Sequence, residues 1–200
     1  MRKELTYFEI GAKYGGNQNW LRDPMMHFGG CAALAACDSS IYFALHKNAK
    51  GICPMDILDL NKQDYIRFSQ KMKPYLKPRL KGIDRLEIYV EGFGQYLRNC
   101  GNHSISMEGF SGSNKTTVAK QKVREQIDAG MVIPFLMLKH KDSALKDYVW
   151  HWFLLTGYEE YEDVMMVKAV TYGSYQWLDF DNLWDTGYTN KGGMILYSGI

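Results

Sequence analysis

The sequence predicts an α+β domain, and three observations carry that expectation. Helix-forming segments fill the first half of the chain, strand-like runs fill it from about residue 103 onward, and 200 residues with 46% hydrophobic and 23% charged side chains suffice for one ordinary core. Helices followed by antiparallel strands, rather than alternating with them, is the α+β pattern. A single domain is expected, with a mainly helical lobe over 1–102 packed on a mainly antiparallel β lobe over 103–200.

Residues 1–28 carry many turn formers, among them Gly11, Gly15, Gly16, Asn17, Asp23 and Pro24, and read as an irregular leading arm. The pair Gly29-Gly30 permits a tight turn and delivers Cys31 to a run of Ala, Leu, Ala and Ala whose intrinsic preference is helical. A helix over 31–45 follows, with Leu34, Ile41, Tyr42 and Leu45 at helical spacing. Asp38, Ser39 and Ser40 interrupt it, so they must face water or find hydrogen-bond partners, and a base elsewhere in the chain could partner Asp38. His46 ends it, where a cation complements the helix dipole.

A second helix is expected within 54–74, stopped by Pro74 and Pro78, and a third is capped by Asp84 and ends near 99–102. Lys71, Lys73, Lys77, Arg79 and Lys81 read as a solvated face. A short strand over 105–110 precedes a helix opened by Thr116 or Thr117 and closed by Gly130. Three strands follow, over 131–138, 149–158 and 164–172, then a hairpin-like region over 175–184 and 194–197. There is no internal repeat or linker.

A formal net charge of +2 argues against a nucleic-acid partner, and no run of about 18 apolar residues suggests a membrane span. The first ten residues lack the apolar stretch of a signal peptide, so the chain is expected to be cytoplasmic, or the mature part of a protein whose leader is missing. Four cysteines form no CxxC clip and five histidines show no HxxxH pairing, so no metal and no cofactor is expected. An aromatic content of 14%, including 14 Tyr, suits core packing ahead of a binding groove. Oligomeric state is not indicated.

Cys31 is the candidate nucleophile. In the first helical turn it would feel the positive end of the dipole, which lowers a thiol's pKa; the plain alternative is a small buried core residue. Far downstream, 149–158 reads as a buried strand carrying His151, a base held on a rigid sheet. His27 is its rival, close in sequence to Cys31, and His140 is expected to face solvent.

Helix-borne Cys31, strand-borne His151 and the block Trp152, Thr156, Gly157 and Tyr158 together resemble the papain-like cysteine peptidase clan, nearest its bacterial branch of bacteriocin-leader peptidases. The resemblance implies a cleft between the two lobes, attack by Cys31 through a thioester, and His151 as base and acid. It also implies an oxyanion donor upstream of the cysteine; Gln18, thirteen residues before Cys31, matches, with Asn17 and Asn19 competing. The third member, an Asn or Asp on the strand after the His strand, is where the chain departs. Aligning Tyr172-Gly173 with the clan's Trp-Gly puts Val170 there, which cannot orient an imidazole, and Thr171, Asp179 or Asp181 would have to substitute. The implied function is a cysteine peptidase or amide hydrolase acting on a peptide or other acyl amide. A catalytically silent peptide-binding domain and an acyltransferase on the same scaffold are the alternatives.

Overall fold

In the computed structural model, which describes residues 1–79 and 82–200, the chain opens with strand β1 (Arg2–Glu4) and a ribbon of β2 (Glu9–Ile10) and β3 (Lys13–Tyr14). Helices α1 (Pro24–Gly29), α2 (Cys31–His46), α3 (Lys62–Met72) and α4 (Leu86–Asn99) follow. Then come β4 (Ser106–Ser111), α5 (Thr116–Asp128), β5 (Ile133–Met137), β6 (His151–Tyr161) and β7 (Val164–Thr171). Strand β8 (Ser174–Asp179), helix α6 (Phe180–Trp184) and β9 (Gly193–Ser198) complete it. The fold is α+β: an antiparallel sheet of order β4-β9-β5-β6-β7-β8, with β1 also paired to β6.

Every residue of α2 from Cys31 to Phe43 is buried. The small side chains of Ala32, Ala33, Ala35 and Ala36 let neighbouring elements approach its backbone from all sides, so the helix has no polar face to show. Ser39 and Ser40 turn their hydroxyls back onto Ala35 O and Ala36 O, at 2.8 and 2.9 Å, which meets the need of a hydroxyl out of contact with water. The glycine pair serves close approach rather than an unusual backbone angle: Gly30 has φ −88°, and a Cβ on it would stand 2.4 Å from Met26 O. Tyr65 and Tyr89 are fully buried, so much of the aromatic content packs the core as composition suggests.

Strand β6 is the centre of the sheet. Its first half pairs with β5, from Met137 opposite His151 to Ile133 opposite Leu155, and beyond an irregularity at Thr156-Gly157 its outer half pairs with β1. Gly157 sits where Lys3 O would lie 2.9 Å from any Cβ, so the strand passes close to β1 there. Buried Lys168 on β7 secures the same arm, donating to Glu4 Oε2 at 2.8 Å and Tyr14 Oη at 2.9 Å beneath the Tyr175 ring. The leading arm is therefore not irregular throughout: β1 joins the sheet, and Asp23-Pro24 caps and starts α1.

Other boundaries differ from expectation. Helix α3 begins only at Lys62, because Asn61 accepts from Asp64 N–H and caps it there. Arg85, not Asp84, precedes α4, and it makes no side-chain cap. The region 175–184 is a strand and then a short helix, because Asp179 accepts from Asn182 N–H and opens a helical turn. Lys71, Lys77 and Arg79 are exposed as expected of a solvated face, Lys73 pairs with Asp23, and Lys81 lies outside the described residues. Among the described residues no helix is long and apolar enough to cross a membrane.

Phe43→Ala, at a fully buried ring set edge-on to Tyr197 at 4.8 Å, is expected to lower the unfolding free energy by about 3–5 kcal/mol, as read from urea denaturation.

Candidate active site

Cys31 is the first residue of α2, His151 the first of β6, Thr171 the last of β7, and Gln18 opens a 3-10 turn in the leading arm. All four line one cavity, together with Asp38, Tyr65 and Tyr172, and its volume of about 20 Å³ is room for one water molecule. The helix brings Cys31, Leu34, Ala35 and Asp38 to one face by their three- and four-residue spacing. Cys31 and His151 are both buried, with 4% and 5% of their surfaces exposed.

His151 is held on two sides. Its Nε2 is hydrogen-bonded to Thr171 Oγ1 at 2.6 Å, and the Tyr172 ring lies parallel to the imidazole, 3° off plane, with centroids 4.8 Å apart. Tyr172 and Gly173 are the two central residues of the β7–β8 hairpin, with φ 52° and 70°, both positive as a type I′ turn requires. Trp150, just before His151, is also left-handed at φ 55°, a strained conformation for so large a residue, with its N–H bonded to Leu138 O at 2.8 Å.

The other candidates for the third position point elsewhere. Asp179 caps α6, Asp181 pairs with Lys120 at 2.6 Å on the surface, and Val170 lines the cavity without a polar atom. His27 sits half-buried in the last turn of α1 against Phe28. His140 does not simply face solvent: its Nδ1 accepts from Asp142 N–H at 2.9 Å, so Nε2 carries the hydrogen that reaches Asn182 O at 2.8 Å.

Gln18 adopts a different posture from an oxyanion donor. Its Nε2 donates to Met26 O at 3.2 Å and His27 O at 2.7 Å, which uses both amide hydrogens. Its Oε1 is buried without a partner among the described residues. Asn17 accepts at Oδ1 from Asn19 N–H at 2.9 Å and does not line the cavity, and Asn19 is exposed. The backbone amides that act on the sulphur are those of Cys31 and Ala32 at the start of α2, where helix N–H groups lack intrahelical partners, and that of Trp152 on β6.

Burial corrects the expectation for the thiol. Desolvation pushes Cys31 up from its ordinary value, and the amides of Trp152, Ala32 and Cys31 itself only partly oppose it. The same desolvation pulls His151 down to about 4. Desolvation therefore favours a neutral thiol and a neutral imidazole lining one cavity over an ion pair. Asp38 carries the opposite burden: burial raises its carboxyl to about 6, against the hydrogen bonds from Tyr65, Gly16 and Tyr7.

Asp38, for which the sequence suggests a basic partner, is instead met by Tyr65, Tyr7 and Gly16 N–H, and Tyr172 had no assigned role beyond its place in the Tyr172-Gly173 pair. Asp38 lies seven positions after Cys31, which puts it two turns along the same face, and Tyr172-Gly173 is a recognisable two-residue turn; both signals are present in the sequence. Among the described residues no three of His, Cys, Asp and Glu gather closely enough to hold a metal ion. No family model, curated protein or solved structure matched this chain.

The two shifted groups act on stability in opposite directions. Between pH 6.5 and 4 the unfolded chain takes up a proton at His151 that the native chain refuses, so this residue costs stability as pH falls, by roughly 3 kcal/mol at most. Between about pH 6 and 3.8 the native chain takes up a proton at Asp38 that the unfolded chain does not, so Asp38 adds stability as pH falls. His151→Gln removes only the first effect. The variant is expected to gain stability relative to the unaltered chain as urea unfolding is repeated from pH 7 to pH 4; a difference that stays constant contradicts the assignment.

Proposed function

We propose that this chain is a papain-like cysteine peptidase or amide hydrolase, with Cys31 as nucleophile, His151 as base and then acid, and Thr171 orienting the imidazole. The observation that carries the reading is the convergence of these three residues, from α2, β6 and β7, on one cavity, with His151 Nε2 bonded to Thr171 Oγ1 at 2.6 Å. Because Nε2 is engaged, Nδ1 is the nitrogen left to take the thiol's proton.

In this mechanism Cys31 Sγ attacks the carbonyl carbon of the substrate while its proton passes to His151 Nδ1. Backbone amides at the N-terminus of α2 face the charge that develops on the carbonyl oxygen. The C–N bond breaks, His151 returns the proton to the departing amine, and a thioester remains. A water molecule then gives a proton to His151 and adds to the thioester, releasing the acid and restoring the thiol. The neutral resting pair requires that proton transfer accompany attack rather than precede it.

Entry has to widen the small cavity, which shares Thr171 and Tyr172 with a second hollow of about 160 Å³ lined by Tyr148, Tyr175 and Gln176. That hollow offers a peptide the room that the space beside Cys31 lacks. The small cavity and the spent amide of Gln18 favour a second reading, a papain-like domain that binds peptide without cleaving it.

The test is turnover of a mixed library of fluorogenic peptide amides, with the intact protein weighed for an acyl adduct on Cys31. Hydrolysis that disappears in Cys31→Ala and His151→Ala, with a thioester-sized mass increase in the unaltered chain, supports the hydrolase. Binding to the library with neither turnover nor adduct overturns it in favour of the binding domain, and products joined to an added amine would identify an acyltransferase. Thr171→Val is expected to lower kcat/KM about tenfold, the worth of one hydrogen bond of about 1.4 kcal/mol, whereas Thr171→Asn retains activity.

A further inference from the structure

Asp38 is buried opposite neutral partners only. Its Oδ1 accepts from Tyr65 Oη at 2.6 Å, and its Oδ2 accepts from Tyr7 Oη at 2.8 Å and from Gly16 N–H at 3.1 Å. Around it stand the thiol of Cys37 on its own helix, Tyr14 and Tyr42 beside Tyr7, and Cys31 and His151 across the cavity. No cation pairs with it among the described residues. A carboxylate buried without a counter-ion is costly unless its hydrogen bonds are well made, so its placement calls for a reason beyond packing.

The bond to Gly16 leads on to the candidate site. Gly16 O accepts from Gly173 N–H at 2.9 Å, and Gly173 O accepts from Tyr14 N–H at 3.0 Å, so the leading arm grips the tip of the β7–β8 hairpin. That tip carries Tyr172, stacked on His151, and follows Thr171, bonded to it. Only glycine fits at position 16, where a Cβ would fall 1.8 Å from Tyr65 Oη and 2.7 Å from Asp38 Oδ1.

We propose that Asp38 is a positioning residue whose carboxylate, through Gly16 and the Tyr172-Gly173 turn, holds the His151 imidazole in place beside Cys31. The proposal rests on the reading of His151 as the acid–base group, and it links the helix that carries the thiol to the hairpin that holds the base. Protonation of Asp38 removes the negative charge that strengthens the bonds it accepts, so the bond from Gly16 N–H weakens with the others. The grip on Gly16 then loosens as pH falls through about 6.

The parallel Tyr172 ring gives a direct readout, because it shifts the His151 ring protons upfield in the NMR spectrum of histidine-labelled protein. Asp38→Asn leaves at least one of the three donors unpaired and is expected to shrink that shift and slow iodoacetamide alkylation of Cys31 at least tenfold. Tyr7→Phe removes a bond to the same oxygen but leaves Gly16 attached, and should keep the shift. In the unaltered chain the shift should fall away near pH 6, well before His151 itself titrates, and Asp38→Asn should lack that step.

A folded Asp38→Asn protein with an unchanged ring shift overturns the proposal, as does the absence of any step near pH 6 in the unaltered chain; the latter needs no variant to fold. The NMR readout does not depend on turnover. An inert Cys31 with an intact Asp38-dependent shift defeats the hydrolase reading alone, and peptide turnover with a shift indifferent to Asp38 defeats this proposal alone.

Discussion

Complete burial of α2 is the constraint on which the rest of the structure depends. A helix without a wet face must satisfy each polar side chain it carries from inside the protein, and α2 carries two thiols, a carboxyl and three hydroxyls within its buried stretch. The serine hydroxyls are satisfied by the helix itself, and that of Tyr42 by Gly130 O. The carboxyl cannot be, so it recruits Tyr7 and Gly16 from the leading arm and Tyr65 from α3. Segments far apart in sequence are thereby drawn to one point, and the cavity beside Cys31 forms where they meet.

Burial also sets the electrical state of that cavity. Position at a helix N-terminus and removal from water pull the thiol in opposite directions, and here desolvation prevails. His151 loses its charge for the same reason. A neutral pair needs less solvation than an ion pair, which is consistent with a space that admits a single water molecule.

The sequence was most readable where local preference and final environment agree. The alanine-rich run after Gly29-Gly30 prefers helix and stays helical, and the strands at 133–137 and 164–171 are apolar runs that become interior strands. It was least readable where a distant partner decides the outcome. Arg2, Lys3 and Glu4 are exposed and charged, and only the free edge of β6 beyond Gly157 makes them a strand. Asp23-Pro24 was a legible start for α1, yet its dense turn-forming neighbours concealed it. Within the site, Cys31 and His151 could be picked out by order and context. Thr171 was legible as a partner for His151 beside Asp179 and Asp181, but the choice among them, and the tyrosines around Asp38, depend on segments whose proximity only the folded chain creates.

The pairing of β1 with β6 bears on how the molecule is made. Arg2 lies opposite Glu159, so the first strand leaves the ribosome long before its partner exists. Until β6 and β7 emerge, the arm that carries Gly16 and Gln18 has no sheet to rest on, and contacts between such remote segments form late and slowly. The buried carboxyl of α2 waits for the same arm. Co-translational folding of this chain should therefore proceed through a nascent species whose central helix is formed but whose cavity is still open to water.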